Sequence, residues 1–266
     1  MLTHPNIDPV ALQIGPVSVH WYGLMYVAAF VSFLYLSKLR VRREPWLGWK
    51  DDEIDDLLFY GFIGVIVGGR LGEAFLYQLP HHLANPLDIF KIWQGGMSFH
   101  GGFLGVLLGM WLYARKTKRT FWQVTDFIAP QVPLGYAFGR FGNFINQELV
   151  GRPTDAPWGM VFPRVDSIAR HPSQLYHALL DGVLLFLVLW FYCAAPRPIK
   201  RVSALFLIGY GLTRSFVEFF RTPDFSVQVA GLPITSGQLY SIPMILYGLF
   251  LWYSAGNNAA IAKTAK

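Results

Sequence analysis

Seven apolar stretches, each long enough to cross a lipid bilayer, are the feature that most constrains what this chain can fold into. The hydrocarbon core of a bilayer is about 30 Å thick, so a spanning α-helix needs roughly 20 predominantly apolar residues. The stretches lie at about 17–37, 54–78, 97–114, 121–141, 174–195, 203–221 and 237–255. We therefore predict an all-α polytopic membrane protein with seven transmembrane helices, in which residues 1–266 form a single integral membrane domain.

The composition favours the same fold class, because 53% of the 266 residues are hydrophobic and only 14% are charged. These values lie outside the range of soluble globular domains. No repeat of fixed period divides the chain into similar halves, which speaks against a transporter built from inverted repeats. Cys193 is the only cysteine, so the chain can form neither an intramolecular disulfide nor a cysteine metal cluster.

Glycines recur at short, regular spacings in the second and third predicted helices. They are Gly61, Gly64, Gly68, Gly72, Gly101, Gly105 and Gly109. Small residues at every third or fourth position allow two helices to approach closely in lipid. We interpret these glycines as helix-packing residues.

Basic residues are concentrated in the loops that follow the odd-numbered predicted helices, which hold 14 of the 22 lysines and arginines. They are Lys38, Arg40, Arg42, Arg43, Lys50, Arg115, Lys116, Lys118, Arg119, Arg197, Lys200, Arg201, Lys263 and Lys266. Short cytoplasmic loops carry the excess of positive charge. We therefore expect the N-terminus outside (periplasmic) and the C-terminus in the cytoplasm. These basic loops account for most of the net charge of +6, and no nucleic-acid partner is needed to explain it.

Two outer segments are longer than plain connectors. Residues 79–96 combine prolines and histidines with Trp93, which suits a short arm in the membrane interface. Residues 142–173 contain turn residues and short β-branched or aromatic runs, which indicate a small folded outer cap, with strands as an option.

Polar side chains within and beside the predicted spans gather at one depth. A helical rise of 1.5 Å per residue gives the depth of each polar residue below the outer membrane surface, and the residues near the outer helix ends have similar depths. They are Tyr22, His100, Arg140, Asn143, His171, Ser173, Gln174, Tyr176, Arg214 and Glu218. An ionised group in or beside hydrocarbon is costly unless it is paired or lines a wet cavity. The sequence therefore predicts a site in the outer half of the bundle.

The residue types at this depth suit an anionic ligand and proton transfer. Arg140 and Arg214 offer two permanently charged guanidinium groups with the geometry to bind phosphate. His100 lies among glycines in the segment 95–102, and a histidine can accept a proton near neutral pH. Tyr22 can instead belong to the aromatic belt at the membrane surface.

Several charged residues have structural alternatives. Arg214 and Glu218, at positions i and i+4, can pair with each other. Arg70 and Glu73, at i and i+3, are interpreted as a structural pair. Asp126, near the cytoplasmic end of the fourth predicted helix, is suited to capping or anchoring that helix.

Six short motifs lie at 20–23, 69–72, 97–102, 139–148 with Gly151, 171–176 and 214–221. Together they resemble the prolipoprotein diacylglyceryl transferase family of bacterial inner membranes. The likeness spans almost the whole chain, and we find no departure from the family pattern at these positions.

The resemblance implies transfer of the diacylglyceryl group of phosphatidylglycerol to the lipobox cysteine of a prolipoprotein signal peptide. It also implies which residues form the site. The residues implied as essential are Tyr22, His100, Arg140, Asn143, Gly151 and Arg214, with Glu148 and Glu218 as supporting carboxylates. The reaction calls for no metal or organic cofactor, and we expect a monomer in the bilayer.

The chemistry of the residues agrees with that implication. A thiol with a pKa of about 8.5 must lose its proton before attack, and His100 is the candidate base. Tyr22 or a phosphate-bound water remains an alternative acceptor. Arg140 and Arg214 would stabilise the leaving phosphate, while Tyr22 and Asn143 would orient the lipid headgroup.

Two other functions remain open from the sequence. Intramembrane arginines can line an anion pathway, although here the polar residues gather in the outer half of the bundle. A different phospholipid-headgroup transferase is the second alternative. Only the favoured reaction leaves a thioether-linked diacylglyceryl group on a peptide.

Overall fold

The computed structural model describes residues 2–91, 95–229 and 232–256. Trp93, Lys263 and Lys266, which entered the predictions above, lie outside the described residues. The chain forms two compact units. The first comprises the residues up to Leu47 together with those from Asp126 onward, and the second is Gly48–Thr125. The assignment of one integral membrane domain remains a prediction.

The described part of the chain is mostly helical. Its α-helices are α1 (Trp21–Arg43), α2 (Asp51–Gly72), α3 (Leu79–Ala84), α4 (Phe99–Lys116), α5 (Phe121–Ile128), α6 (Val132–Asn146), α7 (Ser173–His177), α8 (Leu185–Tyr192), α9 (Arg201–Val217) and α10 (Ser236–Ser254). The π-helical segment Glu73–Tyr77 extends α2, and the π-helical segment Ala178–Leu184 joins α7 to α8. Among these residues, three helical stretches are long and apolar enough to cross a membrane: Trp21–Arg43, Asp51–Tyr77 and Ser173–Tyr192.

Short strands accompany the helices, so an all-α description is too simple. They are β1 (Leu2–Thr3), β2 (Val10–Ile14), β3 (Val17–His20), β4 (Met160–Val161), β5 (Ala169–Arg170), β6 (Ser226–Val229) and β7 (Leu232–Thr235). β2–β3 and β6–β7 are antiparallel hairpins. β4 pairs with β1 in parallel and with β5 antiparallel, which ties the start of the chain to the segment 142–173.

Several predicted helix boundaries were wrong. The first helix begins at Trp21, because residues 17–20 form β3, and it continues to Arg43. Four basic residues assigned to the following loop therefore lie in α1. The fourth predicted helix is divided into α5 and α6. Pro133, in the first turn of α6, has no backbone N–H to donate, which prevents an uninterrupted helix there.

In the second unit, α2 and α4 pack closely through their glycines. A Cβ atom at Gly68 would lie 2.3 Å from the carbonyl oxygen of Gly101, and one at Gly105 would lie 2.0 Å from that of Gly64. Only hydrogen atoms fit at these crossings, so the interpretation of the glycines as packing residues is confirmed. Gly61 is the exception, since a Cβ there would meet no atom within 4 Å.

Arg70 does not pair with Glu73, so that interpretation was wrong. Its guanidinium group instead donates to backbone carbonyl groups of the following segment. The acceptors are Asp88 at 2.5 Å, Gly95 at 2.7 Å, Ile89 at 2.8 Å and Gly96 at 3.1 Å. Glu73 accepts from Gln78 at 2.9 Å. Four carbonyl acceptors satisfy the arginine without a carboxylate, and they fix Asp88, Ile89, Gly95 and Gly96 to α2.

In the first unit, α6 packs against α1 and the Ala178–Leu184 segment, while α9 packs against α10. A buried ion pair lies where α1 ends: Arg40 donates from Nη2 to Glu44 at 2.5 Å and from Nη1 to the Phe127 carbonyl at 2.5 Å. Asp126 accepts from the backbone N–H groups of Lys200 and Ser203, at 2.6 and 2.8 Å. It therefore caps the start of α9 rather than its own helix.

Candidate active site

The end of α6 carries a connected set of polar side chains. Arg140 donates from Nη1 to the Asn143 amide oxygen at 3.2 Å, and Asn143 donates from Nδ2 to Glu148 Oε2 at 3.2 Å. Asn146 donates to the other carboxylate oxygen of Glu148, also at 3.2 Å. The i, i+3 spacing of Arg140 and Asn143 places both on one helix face. The carboxylate of Glu148 thus orients an amide that in turn holds an arginine.

Gln147 fixes the chain as it leaves α6. It adopts a left-handed conformation with φ of +60°, which ends the helix. Its buried side chain donates to Asn6 Oδ1 at 3.1 Å and accepts from the backbone N–H of Arg164 at 3.0 Å. Gln174, at the start of α7, donates to the Glu148 carbonyl at 2.6 Å. The position of Glu148 is therefore set by contacts from distant parts of the sequence.

Tyr22 lies against the same helix. A Cβ atom at Gly142 would be 2.6 Å from the Tyr22 ring, so glycine is what allows α1 and α6 to approach there. The ring also meets Tyr26 edge-on, with centroids 5.3 Å apart. Since Gly142 adjoins Asn143, the structure brings Tyr22 beside the Arg140–Asn143–Glu148 set.

Gly151 lies at a crossing of three segments. Its N–H donates to the His171 carbonyl at 3.0 Å, and it forms an isolated β-bridge with Arg221. A Cβ atom there would lie 2.4 Å from the His171 carbonyl oxygen and 2.6 Å from that of Phe220. Gly151 is therefore needed for close backbone packing between the residues after α6, the residues before α7 and the residues that follow α9.

Arg214 forms an ion pair with Glu218, which is fully buried. Arg221 approaches the other carboxylate oxygen of Glu218 at 3.7 Å. Gly237, in the first turn of α10, leaves room for the pair, because a Cβ atom there would lie 2.4 Å from Glu218 Oε2. The structural pairing left open by the sequence is thus present, and it holds Arg214 in place.

A chain of contacts connects the two arginines. The Arg140 guanidinium lies 4.6 Å from the centroid of the Tyr136 ring, and Tyr136 meets the His177 ring edge-on at 6.3 Å. His177 Nε2 lies 3.3 Å from Arg214 Nη1. Arg140 and Arg214 are therefore joined through two intervening rings, and they belong to one cationic cluster of the first unit.

His100 belongs to the second unit, in the first turn of α4. Ser98 caps this helix by accepting from the N–H of Gly101 at 3.1 Å, and its own N–H donates to the Gly69 carbonyl at 2.9 Å. The exposed His100 side chain lies with Nδ1 3.3 Å from the Tyr77 hydroxyl. The motifs at 69–72 and 97–102 are thus packed together, and the imidazole is accessible.

His171, which precedes α7, lies with Nδ1 3.1 Å from the Tyr176 hydroxyl, which also accepts from Trp158 Nε1 at 2.8 Å. Burial lowers the pKa of His171. Among the described residues no group of three or more histidine, cysteine, aspartate or glutamate side chains could hold a metal ion.

Comparison with known proteins shows the family. The family model for prolipoprotein diacylglyceryl transferase matches residues 9–254. The chain belongs to this family. A phosphatidylglycerol–prolipoprotein diacylglyceryl transferase of Azoarcus sp. (strain BH72) is 56% identical over 265 residues, covering 98% of this chain and 99% of the relative. The enzyme of the same name from Aromatoleum aromaticum is 55% identical, covering 98% of this chain and all of the relative.

The resemblance to the diacylglyceryl transferase family, drawn from the motifs, is confirmed. The structure collects seven of the eight site residues within the first unit: Tyr22, Arg140, Asn143, Glu148, Gly151, Arg214 and Glu218. The eighth, His100, lies in the second unit. The role of each residue remains a prediction.

Sequence reasoning about this diacylglyceryl transferase missed Tyr136, His177 and Asp181. His177 Nδ1 lies 2.6 Å from Asp181 Oδ2, and both side chains are buried. The i, i+4 spacing of two ionisable residues in an otherwise apolar span was the available signal. Tyr136 gave no such signal, because an aromatic residue in a span is usually a packing residue.

Proposed function

We propose that this chain transfers the sn-1,2-diacylglyceryl group from phosphatidylglycerol to the lipobox cysteine thiol of prolipoproteins. The reaction forms a thioether, releases glycerol 1-phosphate and begins lipoprotein maturation. The observation that carries this proposal is the linked pair of arginines in a chain that matches the family model over residues 9–254. Two guanidinium groups suit a phosphodiester substrate.

The proposed substrate contacts follow from the cationic cluster. Arg140 and Arg214 bind the lipid phosphate, and both stabilise the charge that grows on the leaving oxygen. Asn143, which already accepts from Arg140 at 3.2 Å, and Tyr22 orient the glycerol headgroup by hydrogen bonds. Glu148 and Glu218 act indirectly, because Glu148 holds Asn143 and Glu218 holds Arg214 in place. Gly151 allows the outer segment to approach the lipid.

The chemical step exchanges one bond for another. The thiolate sulfur attacks the glycerol carbon that bears the phosphate, a C–S bond forms, and the C–O bond to phosphate breaks. The electron pair of that bond leaves on the phosphate oxygen. No redox change occurs, and the nucleophile comes from the substrate, so the reaction needs neither a cofactor nor an enzyme cysteine.

His100 is the proposed base that accepts the thiol proton. Its exposed imidazole and its place in the 97–102 motif support this role. The Tyr77 hydroxyl, 3.3 Å from Nδ1, is suited to orient the ring. Tyr22 and a phosphate-bound water are the alternative acceptors.

We further propose a seven-helix topology in the bacterial inner membrane. The N-terminus is periplasmic, the C-terminus is cytoplasmic and the active site lies toward the periplasm. The charge bias of the loops supports this orientation, and the three apolar helical stretches support membrane insertion. Residues 79–96 form an interfacial arm and residues 142–173 an outer cap. The enzyme acts as a monomer on phosphatidylglycerol and the signal peptide.

Product analysis tests the proposal directly. Purified protein in detergent is incubated with phosphatidylglycerol and lipobox peptides that carry either cysteine or serine at the acceptor position. We expect a diacylglyceryl mass increment on the cysteine peptide alone, with glycerol phosphate released. A folded, lipid-binding protein that yields no increment would contradict the proposal and favour another headgroup transferase or an anion transporter.

A further inference from the structure

The pair formed by His177 and Asp181 is buried in a helix apolar enough to span a membrane. The exposed fraction of the His177 side chain is 2% and that of Asp181 is 0%. Burying an ionisable group within a membrane span is energetically costly, so residues of this kind usually have a functional role. Both lie where the regular helix gives way to the π-helical segment Ala178–Leu184, an irregularity that is frequent at functional sites.

The direction of the hydrogen bonds can be assigned from the chemistry of the partners. Arginine can only donate, so His177 Nε2, 3.3 Å from Arg214 Nη1, must accept. The imidazole is therefore neutral, and its proton is on Nδ1. That N–H donates to Asp181 Oδ2 at 2.6 Å. Asp181 thus holds His177 in the tautomer that can accept from an arginine.

The contacts of Arg214 leave the rest of its guanidinium group available. Nη1 has two hydrogens, and its two acceptors are Glu218 and His177. Neither Nη2 nor Nε has a hydrogen-bond partner among the residues that the structure describes. One nitrogen is therefore fixed by two acceptors from different helices, and the remaining N–H groups can bind a ligand.

We propose that His177 and Asp181 are positioning residues that hold Arg214 in the orientation that binds the lipid phosphate. This inference rests on the proposed function. With Glu218 as its only acceptor, the Arg214 guanidinium could still rotate about that single ion pair. His177, from a different helix, accepts a second hydrogen bond from the same nitrogen and restricts this rotation. Its ring also contacts Tyr136, on which Arg140 packs, so the dyad supports both arginines.

The test compares His177→Leu with His177→Gln. Leucine removes the acceptor, whereas the glutamine carbonyl oxygen can reach the position of Nε2. We expect His177→Leu to lower kcat/KM roughly ten- to hundred-fold, through a raised KM for the lipid as well as a lowered kcat, because Arg214 binds the phosphate in the ground state and meets the charge that develops on it as it leaves. His177→Gln should recover most of the loss. Thr213→Val is the matched control, since the hydrogen bonds of the Thr213 hydroxyl within the described part of the chain go to backbone carbonyls of its own helix.

Asp181→Leu tests whether the two residues act as one unit. We expect a loss similar to that of His177→Leu, and no greater loss in the double variant, because Asp181 acts through His177. Additive losses would overturn the proposed unit. Wild-type kinetics of His177→Leu would overturn the proposal, and so would equal losses in the leucine and glutamine variants with equally lowered unfolding temperatures.

The affinity for short-chain phosphatidylglycerol, measured without peptide, tests the positioning of Arg214 independently of whether the protein forms the thioether product. We expect weaker lipid binding in His177→Leu and recovery in His177→Gln. If the wild-type protein binds the lipid in this pattern but forms no thioether product, the proposed reaction fails while the positioning of Arg214 stands. Unchanged lipid affinity in His177→Leu would overturn the positioning role whatever the product.

Discussion

The N–H of Gly151 donates to the carbonyl oxygen of His171 at 3.0 Å, and this bond joins the segment after α6 to the residues that precede α7. A Cβ atom at Gly151 would lie 2.4 Å from the same oxygen and 2.6 Å from the Phe220 carbonyl. Both obstacles are backbone atoms and cannot rotate away.

We therefore expect Gly151→Ala to destabilise the fold by about 1–3 kcal/mol, as overpacking does, and to lower transferase activity strongly. Thermal unfolding in detergent and turnover measure the two effects. Gly61→Ala is the control, because a Cβ there meets no atom within 4 Å. A Gly151→Ala protein with unchanged stability would contradict the crowding seen at this crossing.

Arg140→Lys should lower kcat by about 100-fold or more, the usual effect of removing one donor to developing negative charge. Lysine keeps the charge but cannot make the two-pronged contact to phosphate. Kinetics with phosphatidylglycerol and lipobox peptide measure the change, with Arg164→Lys, in the exposed outer segment, as the control. Kinetics unchanged from wild type would remove Arg140 from the site.

His100→Gln should nearly abolish turnover while lipid binding stays measurable, because a general base contributes about 10²–10⁴-fold to rate. Tyr77→Phe removes the hydroxyl 3.3 Å from Nδ1 but keeps the imidazole, and a smaller loss is expected. Turnover and phosphatidylglycerol affinity are measured on both variants. Normal turnover of His100→Gln would exclude the base role and favour Tyr22 or water.

Arg40→Met should destabilise the first unit by about 3–5 kcal/mol, because it leaves the buried carboxylate of Glu44 unpaired. The double variant Arg40→Met, Glu44→Leu should be more stable than the single variant, since no unpaired charge remains. Thermal unfolding in detergent measures both. Lys116→Met breaks an exposed pair with Asp56 and should change stability little. A double variant less stable than the single one would contradict this explanation.

The stability of the protein should fall as pH decreases from neutral through the ordinary histidine pKa of 6.5, and His171 should contribute to the fall. Burial lowers the pKa of His171 in the folded state. Between that lowered pKa and 6.5 the unfolded chain binds more protons, so acidification favours unfolding. Unfolding temperatures between pH 5 and pH 8 should therefore depend less on pH in His171→Gln than in wild type. Identical pH dependence would show that the lowered pKa has no effect on stability.

Local patterns in the sequence were sufficient for much of this protein. Apolar length predicted long helices, and glycine spacing predicted close helix packing, which the structure shows between α2 and α4. The spacing of Arg214 and Glu218 allowed an ion pair between them, and the structure shows that pair. Helix boundaries were less predictable, because residues 17–20 pair with Val10–Ile14, and hydropathy carries no information about such pairing. Arg70 was misassigned for a similar reason, since its acceptors are carbonyl groups of a segment some 20 residues away.

The sequence by itself determined that the chain is an apolar, mostly helical diacylglyceryl transferase, because composition and motifs depend on residue identity alone. The tertiary structure decided which groups meet. It joined Arg140 to Arg214 through Tyr136 and His177, and it placed His177 between Arg214 and Asp181. Such contacts depend on the rotation of each helix about its axis and on side-chain packing between helices, which no local pattern specifies.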